Sequence, residues 1–157
     1  MPDDAPAPVP GDVPPPGIGR YGEPTDAGGV SFRCGACGET AALVKLLPAG
    51  GPVNMGPPLG SQQHSRDGLI IDYWLGSTCW MAVDPDAWTQ VSDVLAARQP
   101  DPAALHDIGW EFAPFFCRAC GICYCRGDWH GIPVWDGPFY DYTEGHCPAG
   151  HRQIIDD

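Results

Sequence analysis

The stretch "FFCRACGICYCRGDWHG", residues 115–131, places four cysteines within nine residues and follows them with Asp128 and His130. Such a cluster has four physical readings: disulfide staples, metal ligands, a nucleophile or core filling. A second motif decides between them. Cys34-Gly-Ala-Cys37-Gly38, 79 residues upstream, has the same form as Cys117-Arg-Ala-Cys120-Gly121. Two residues between the thiols let both sulfurs face one ion from a tight turn. Backbone N–H groups of that turn donate to the sulfurs, and the closing glycine supplies the φ the turn needs. One such motif is a weak signal. Two, each beside an aromatic-plus-Arg strand, point to metal.

A tetrahedral ion wants four donors, so each pair needs a partner pair. The remaining candidates are Cys125, Asp128, His130, His146, Cys147 and His151. Cys147 and His151 in "HCPAGH" have ligand spacing. Cys125 is completed by His130, the softer donor, with Asp128 as its substitute. The expected ligands are therefore Cys34, Cys37, Cys117, Cys120, Cys125, His130, Cys147 and His151, enough for two Zn2+ per chain. His146 is left as a neighbouring or surface histidine. Cys79, among Trp74, Trp80 and Met81, reads as a core thiol, and Cys123 as core or knuckle filling.

Catalytic signatures are missing. A zinc hydrolase or deaminase needs an open coordination position and a glutamate base, and no His-Glu-x2-His or His-x-Glu is present. Cys123 as a nucleophile would need a base and an electropositive pocket, and the spacing selects none. No glycine-rich stretch carries the Lys-Ser/Thr of a phosphate loop. Sites filled by Cys and His alone are structural, so no catalytic residue is assigned and an enzyme is not expected.

Composition sets the frame. The chain has 157 residues, 43% of them hydrophobic, which suits one domain with a modest core. Its 21 glycines and 19 prolines are about a quarter of the chain, twice the usual share of about an eighth, and imply a loop-rich fold. The net charge is −12, and the acids are mostly aspartate, against seven arginines and Lys45. Such a surface repels phosphate polymers and anionic membranes, so neither nucleic acid nor a membrane is an expected partner. No secretory signal and no membrane-length apolar run is seen, which fits a cytoplasmic protein with reduced thiols. The Ala, Gly, Pro and Asp bias with a single lysine has the look of a GC-rich bacterial genome.

Along the chain, residues 1–29 hold eight prolines and read as a disordered, acidic, Pro/Gly-rich arm. A single zinc-binding domain is expected over 30–157. Within it, "VSFRC" and "TAALVKLLP" read as strands, 48–68 as a long loop, and 68–83 as one or two strands. The main helix is expected at about 85–98. Asp84 is its N-cap, Pro85 its first residue, and Trp88, Val91, Val94 and Leu95 its apolar face. "DPAALHDIG" repeats the Asp-Pro start for another turn or two. "WEFAPFF", 110–116, reads as a strand, 128–142 as an aromatic loop packed over the second zinc, and "HRQIID" as a last strand. The expected class is α+β, a small loop-rich zinc-stabilised domain with short antiparallel strands.

The run "CRACGICYCRGD" resembles the middle of FYVE and RING-type cross-brace zinc domains. That resemblance implies that pairs one and three share an ion, as do pairs two and four. Cys34, Cys37, Cys125 and Asp128 or His130 would then hold one zinc, and Cys117, Cys120, Cys147 and His151 the other. The alternative is a zinc ribbon of Cys34, Cys37, Cys117 and Cys120 followed by a site of Cys125, His130, Cys147 and His151. The resemblance covers about 40 residues, and its third pair ends in Asp128 where those families use Cys or His. "EFAPFF" replaces the basic run by which FYVE domains read lipid, so lipid reading is not implied. The stretch "FRCGACGETAALVKLLPAGGPVNMG" also resembles the opening of the cereblon-type thalidomide-binding domain, which implies a tryptophan-lined small-molecule pocket with Trp110 and Trp129. The expected role is protein–protein interaction or assembly. A small-molecule binder is the first alternative and a RING-like ligase module the second.

Overall fold

The computed structural model describes residues 17–72 and 78–157. The first sixteen residues of the expected arm lie outside the described residues, as do residues 73–77 with Trp74. Residues 17–29, also assigned above to the arm, form a turn and the first strand, β1 (Gly22–Pro24). This strand pairs with β2 (Val30–Arg33), and Gly22 N–H donates to Pro100 O at 2.7 Å. Regular structure among the described residues therefore begins before residue 30, because main-chain bonds hold a segment that offers little apolar surface of its own.

β3 (Thr40–Leu47) buries Ala41, Ala42, Val44 and Leu47. This is burial on both faces, as in a strand central to its sheet with both faces covered. The segment read as a long loop, 48–68, contains a small hairpin of β4 (Pro52–Asn54) and β5 (Ser61–Gln63). Its turn is held by hydrogen bonds: Asn54 Oδ1 accepts from Gly56 N–H at 3.0 Å, and Met55 N–H donates to Gly60 O at 2.8 Å. With only Val53 buried, it lacks the apolar alternation that marks a strand in sequence. β6 (Gly68–Asp72) and β7 (Thr78–Ala82) complete an antiparallel sheet in the order β1-β2-β3-β6-β7. Cys79, expected in the core, is exposed on β7.

Helix α1 (Pro85–Ala96) runs as expected, with Val91 and Leu95 buried and Trp88 and Val94 packed against the core. Asp84 starts the helix without a side-chain cap, since its carboxylate meets Arg66 at 3.1 Å. In α2 (Pro102–Ile108) the same Asp-Pro start is capped, and Asp101 Oδ1 accepts from Ala103 N–H at 2.9 Å. The strand expected over 110–116 is instead a 3-10 turn, Trp110–Phe112, that continues from α2. Only β8 (Phe116–Cys117) is extended, paired with β9 (Ile122–Cys123).

The aromatic segment 128–142 is not a loop. It makes a hairpin of β10 (His130–Asp136) and β11 (Phe139–His146), joined by the two-residue turn Gly137-Pro138. The final strand β12 (Arg152–Asp156) pairs with β11, so a second sheet has the order β10-β11-β12. Pro133 sits on its edge strand, where a missing N–H is tolerated. The chain is thus an α+β domain of two helices and short antiparallel strands.

One core joins these parts. Phe32 and Phe115 meet at 5.1 Å between ring centroids, and Leu69, Ile71, Val91, Leu105 and Ile155 are fully enclosed around them. The thiols Cys34, Cys117, Cys123 and Cys147 belong to the same cluster. Replacing Phe32 by Ala removes the aromatic link between β2 and the segment ahead of β8. The expected loss is about 3–5 kcal/mol, read as a shift in the urea midpoint of the metal-loaded chain. A loss below about 1 kcal/mol would contradict this packing.

Candidate metal centre

Each knuckle is built locally before it can hold anything. Cys34 O accepts from Gly38 N–H at 2.9 Å, and Cys117 O accepts from Gly121 N–H at 2.8 Å. Gly38 and Gly121 close these turns at φ +79° and +66°, where a Cβ would be strained. Cys147 O likewise accepts from Gly150 N–H at 2.8 Å, and Cys125 O from Asp128 N–H at 3.0 Å. Four tight turns therefore present four donor pairs. Ala36 N–H also lies 3.4 Å from Cys34 Sγ, the amide-to-sulfur contact the motif anticipates.

The fold gathers these pairs crosswise. Cys34, Cys37, Cys125 and Asp128 form one cluster and Cys117, Cys120, Cys147 and His151 the other, with all donor atoms of each within 4.8 Å of one another. A zinc ion with bonds of about 2.3 Å to sulfur sets its sulfurs about 3.8 Å apart, and a sulfur and a nitrogen or oxygen slightly closer. In the first cluster Cys37 and Cys125 Sγ are 3.6 Å apart, and Asp128 Oδ2 lies 3.0 Å from Cys34 Sγ and 3.2 Å from Cys125 Sγ. In the second, Cys120 and Cys147 Sγ are 3.7 Å apart. His151 Nδ1 lies 3.8, 3.2 and 3.5 Å from the sulfurs of Cys117, Cys120 and Cys147. These separations are close to the edges of a coordination tetrahedron. Three sulfurs with one imidazole or one carboxylate suit a thiolate-preferring divalent ion.

The electrostatics agree. Burial pushes the Cys37 thiol well up, and neighbouring Asp128 and Cys125 add to the shift. Burial, then the thiols of Cys120 and Cys147, push Cys117 up to about 12. Cys147 goes the other way, to about 7. Burial raises it, but the backbone N–H groups of His151 and Ala149 and the thiols of Cys120 and Cys117 outweigh that. Burial also raises Asp128, yet hydrogen bonds from Cys34, Cys37 and Cys125 bring it below its ordinary value. The raised thiols, Cys37 and Cys117, hold their protons unless a cation supplies compensating charge, which a divalent ion does, whereas Cys147 is already poised to ionise.

Seven of the eight expected donors fall in these clusters, and Asp128 takes the place of His130. His130 opens β10 and lies opposite His146, with ring centroids 6.3 Å apart. The spacing carried this signal, since Asp128 follows Cys125 at the two-residue interval of the other knuckles. His146 bonds Glu144 Oε1 at 2.8 Å and joins neither cluster. The sequential pairing of Cys34, Cys37, Cys117 and Cys120 is not formed.

Cys123 is the residue the sequence underrated. It is fully buried, its N–H donates to Gly19 O at 2.7 Å, and its carbonyl accepts from Gly35 N–H at 2.8 Å. It therefore stitches the first knuckle to the strand between the two clusters, and burial holds its thiol well up and unreactive. A Cβ at Gly35 would collide with Ile122 Cγ2, so this approach requires glycine. Among the described residues Trp110 and Trp129 are placed apart. Trp129 is buried, with Nε1 donating to Phe115 O at 3.3 Å and its ring edge-on to Tyr124. Trp110 lies in the 3-10 turn, and none of the described clefts is lined by both.

The fold and these clusters define a class: an α+β domain organised by two interleaved metal-type donor sets. Its family follows from sequence. The chain belongs to the family described as a domain of unknown function (DUF8328), whose model matches residues 24–157. No curated protein and no solved structure matches it. Among the described residues no helix is long and apolar enough to cross a membrane.

The Asp128 assignment gives a direct test. Asp128→Ala should lower the metal bound per chain from two ions to one in native mass spectrometry, while His130→Ala should leave two. The reverse pattern would contradict the cluster.

Proposed function

We propose that both clusters bind structural zinc and that the domain is a protein–protein interaction or assembly module presenting its β10-β11-β12 sheet. One observation carries the reading. The sheet hangs from both clusters, for the Cys125–Asp128 turn leads into β10 and the Cys147–His151 turn joins β11 to β12. It also bears Ile132, Trp135, Phe139, Tyr140 and Ile154, five of the seven exposed large hydrophobics among the described residues. Isolated apolar side chains on a surface need no explanation, whereas Ile132, Phe139 and Ile154 share one face by register and support a contact surface, with Trp135 and Tyr140 on the other face.

The pair on that other face is preorganised. Tyr140 Oη lies 2.8 Å from Thr143 Oγ1 and donates to Asp156 Oδ2 at 2.7 Å, and Trp135 packs edge-on against its ring at 5.8 Å. Held aromatics lose little freedom on binding and are frequent energetic anchors at interfaces. Zinc is favoured as the metal because filled tetrahedral sites of three thiolates and one further donor are its structural habit. The cross-brace resemblance extends to the interleaved pairing. The cereblon-like reading lacks its cage, as Trp129 is committed to the core.

Chelation should cost the fold, since binding and folding are coupled where a metal joins distant segments. Near-UV circular dichroism should collapse with EDTA and return when zinc is added. A metal-free chain that keeps its native spectrum would contradict a structural role. The contact surface is tested by the double variant Trp135→Ala/Phe139→Ala. It should retain its metal and differ in stability by less than about 1 kcal/mol, yet lose the proteins that the wild-type chain retains from extracts of its own cells. Retention of the same proteins by the variant would place the contact elsewhere.

A further inference from the structure

Eight cationic residues face twenty acidic ones in this chain, and the arginines are not evenly used. Arg66, Arg118 and Arg152 meet Asp84, Asp107 and Glu144 at 3.1, 3.1 and 3.2 Å. Arg20, Arg33 and Arg98 instead line one surface cleft of about 540 Å3, walled by the glycine-rich segment from Gly17 to Pro24. Among the described residues its one acidic lining residue is Glu23, whose Oε2 lies 3.9 Å from Arg33 Nε. Among the described residues no carboxylate is within ion-pair distance of Arg20 or Arg98. In so acidic a protein, unpaired guanidinium groups gathered around one concavity are the exception. Guanidinium groups lining one concavity favour an anion there.

The floor of the cleft is fixed. Gly19 O accepts from Cys123 N–H at 2.7 Å, and Gly22 N–H donates to Pro100 O at 2.7 Å. Arg33 is held by its Nη1 donating to Gly38 O at 3.0 Å, which ties one guanidinium to the first knuckle. Tyr21, 48% exposed, lines the same cleft and offers a ring face beside the charges. Guanidinium forks match the planar or tetrahedral oxygens of carboxylate and phosphate. The surrounding negative charge rejects a long polyanion, while a small one can be neutralised locally.

We infer that the cleft bounded by Arg20, Arg33 and Arg98 is a binding site for a small dianionic ligand bearing a phosphoryl or carboxylate group. The site is independent of the interaction reading given above.

The test is calorimetric titration of the full metal-loaded chain at low ionic strength, with inorganic phosphate and separately with succinate. Saturable one-to-one binding of either ion is expected, weakened by added salt. Binding of phosphate alone assigns a phosphoryl ligand, and binding of succinate alone a carboxylate. Arg20→Ala and Arg98→Ala should each weaken binding roughly tenfold, while Arg66→Ala, which removes equal charge elsewhere, should not. Metal content measured on the same samples separates loss of the site from loss of the fold. Absence of saturable binding by either ion overturns the inference. So does binding that the Arg20→Ala/Arg98→Ala pair leaves unchanged, or that Arg66→Ala weakens equally.

Discussion

The interleaving of the two donor clusters is the constraint on which the rest depends. Cys34 pairs with Asp128, 94 positions away, and Cys120 with Cys147, 27 positions away. The knuckle of the second cluster thus lies inside the long loop closed by the first. Neither set of four can be completed unless the β8–β9 hairpin sits between them, and Cys123 fixes that hairpin through its N–H and carbonyl. A core of this size leaves a loop-rich chain marginal, and each ion would remove loop-closure freedom that apolar burial cannot offset alone. The core and the clusters also share residues, since Cys34, Cys117 and Cys147 are packed with Phe32 and Phe115. Loss of metal would therefore be felt as loss of packing.

The second consequence is directional. Glycine-rich turns normally give little rigidity, but here they are the places where donors emerge. The three-stranded sheet enters and turns at these points, so filled clusters would stiffen its outer residues. Trp135 and Phe139 stay exposed, at 59% and 74%, beside the β10–β11 turn. Trp129, one residue after Asp128, is fully used inside. Its indole spans the gap between the metal turn and the backbone at Phe115.

What the sequence made legible follows the strength of the local signal. The α1 helix was marked by Asp84-Pro85 and a repeating apolar face, and α2 by Asp101-Pro102. β3 and β12 were marked by apolar runs. The thiol pairs of both knuckles were readable because Cys-x2-Cys-Gly encodes a turn by itself. The β4–β5 hairpin was not, because its stability comes from polar turn bonds at Asn54 and Gly56. The β10–β11 hairpin was hidden by Gly131, Pro133, Gly137 and Pro138, which resemble loop residues until the register with β12 is known. The choice between Asp128 and His130 turned on weighing donor softness above spacing, and the backbone turn from Cys125 favours the nearer residue. The cleft at Arg20 was invisible for a different reason. Its arginines come from three separated segments, and its wall was assigned to an arm.

The central claim is the crosswise pairing, and cadmium substitution followed by 113Cd NMR reads it most directly. The account expects two resonances, both from three-sulfur sites, one with a nitrogen and one with an oxygen as fourth donor. One four-sulfur and one two-sulfur resonance would instead establish sequential pairing, and a single resonance at one ion per chain would remove the interleaved frame altogether.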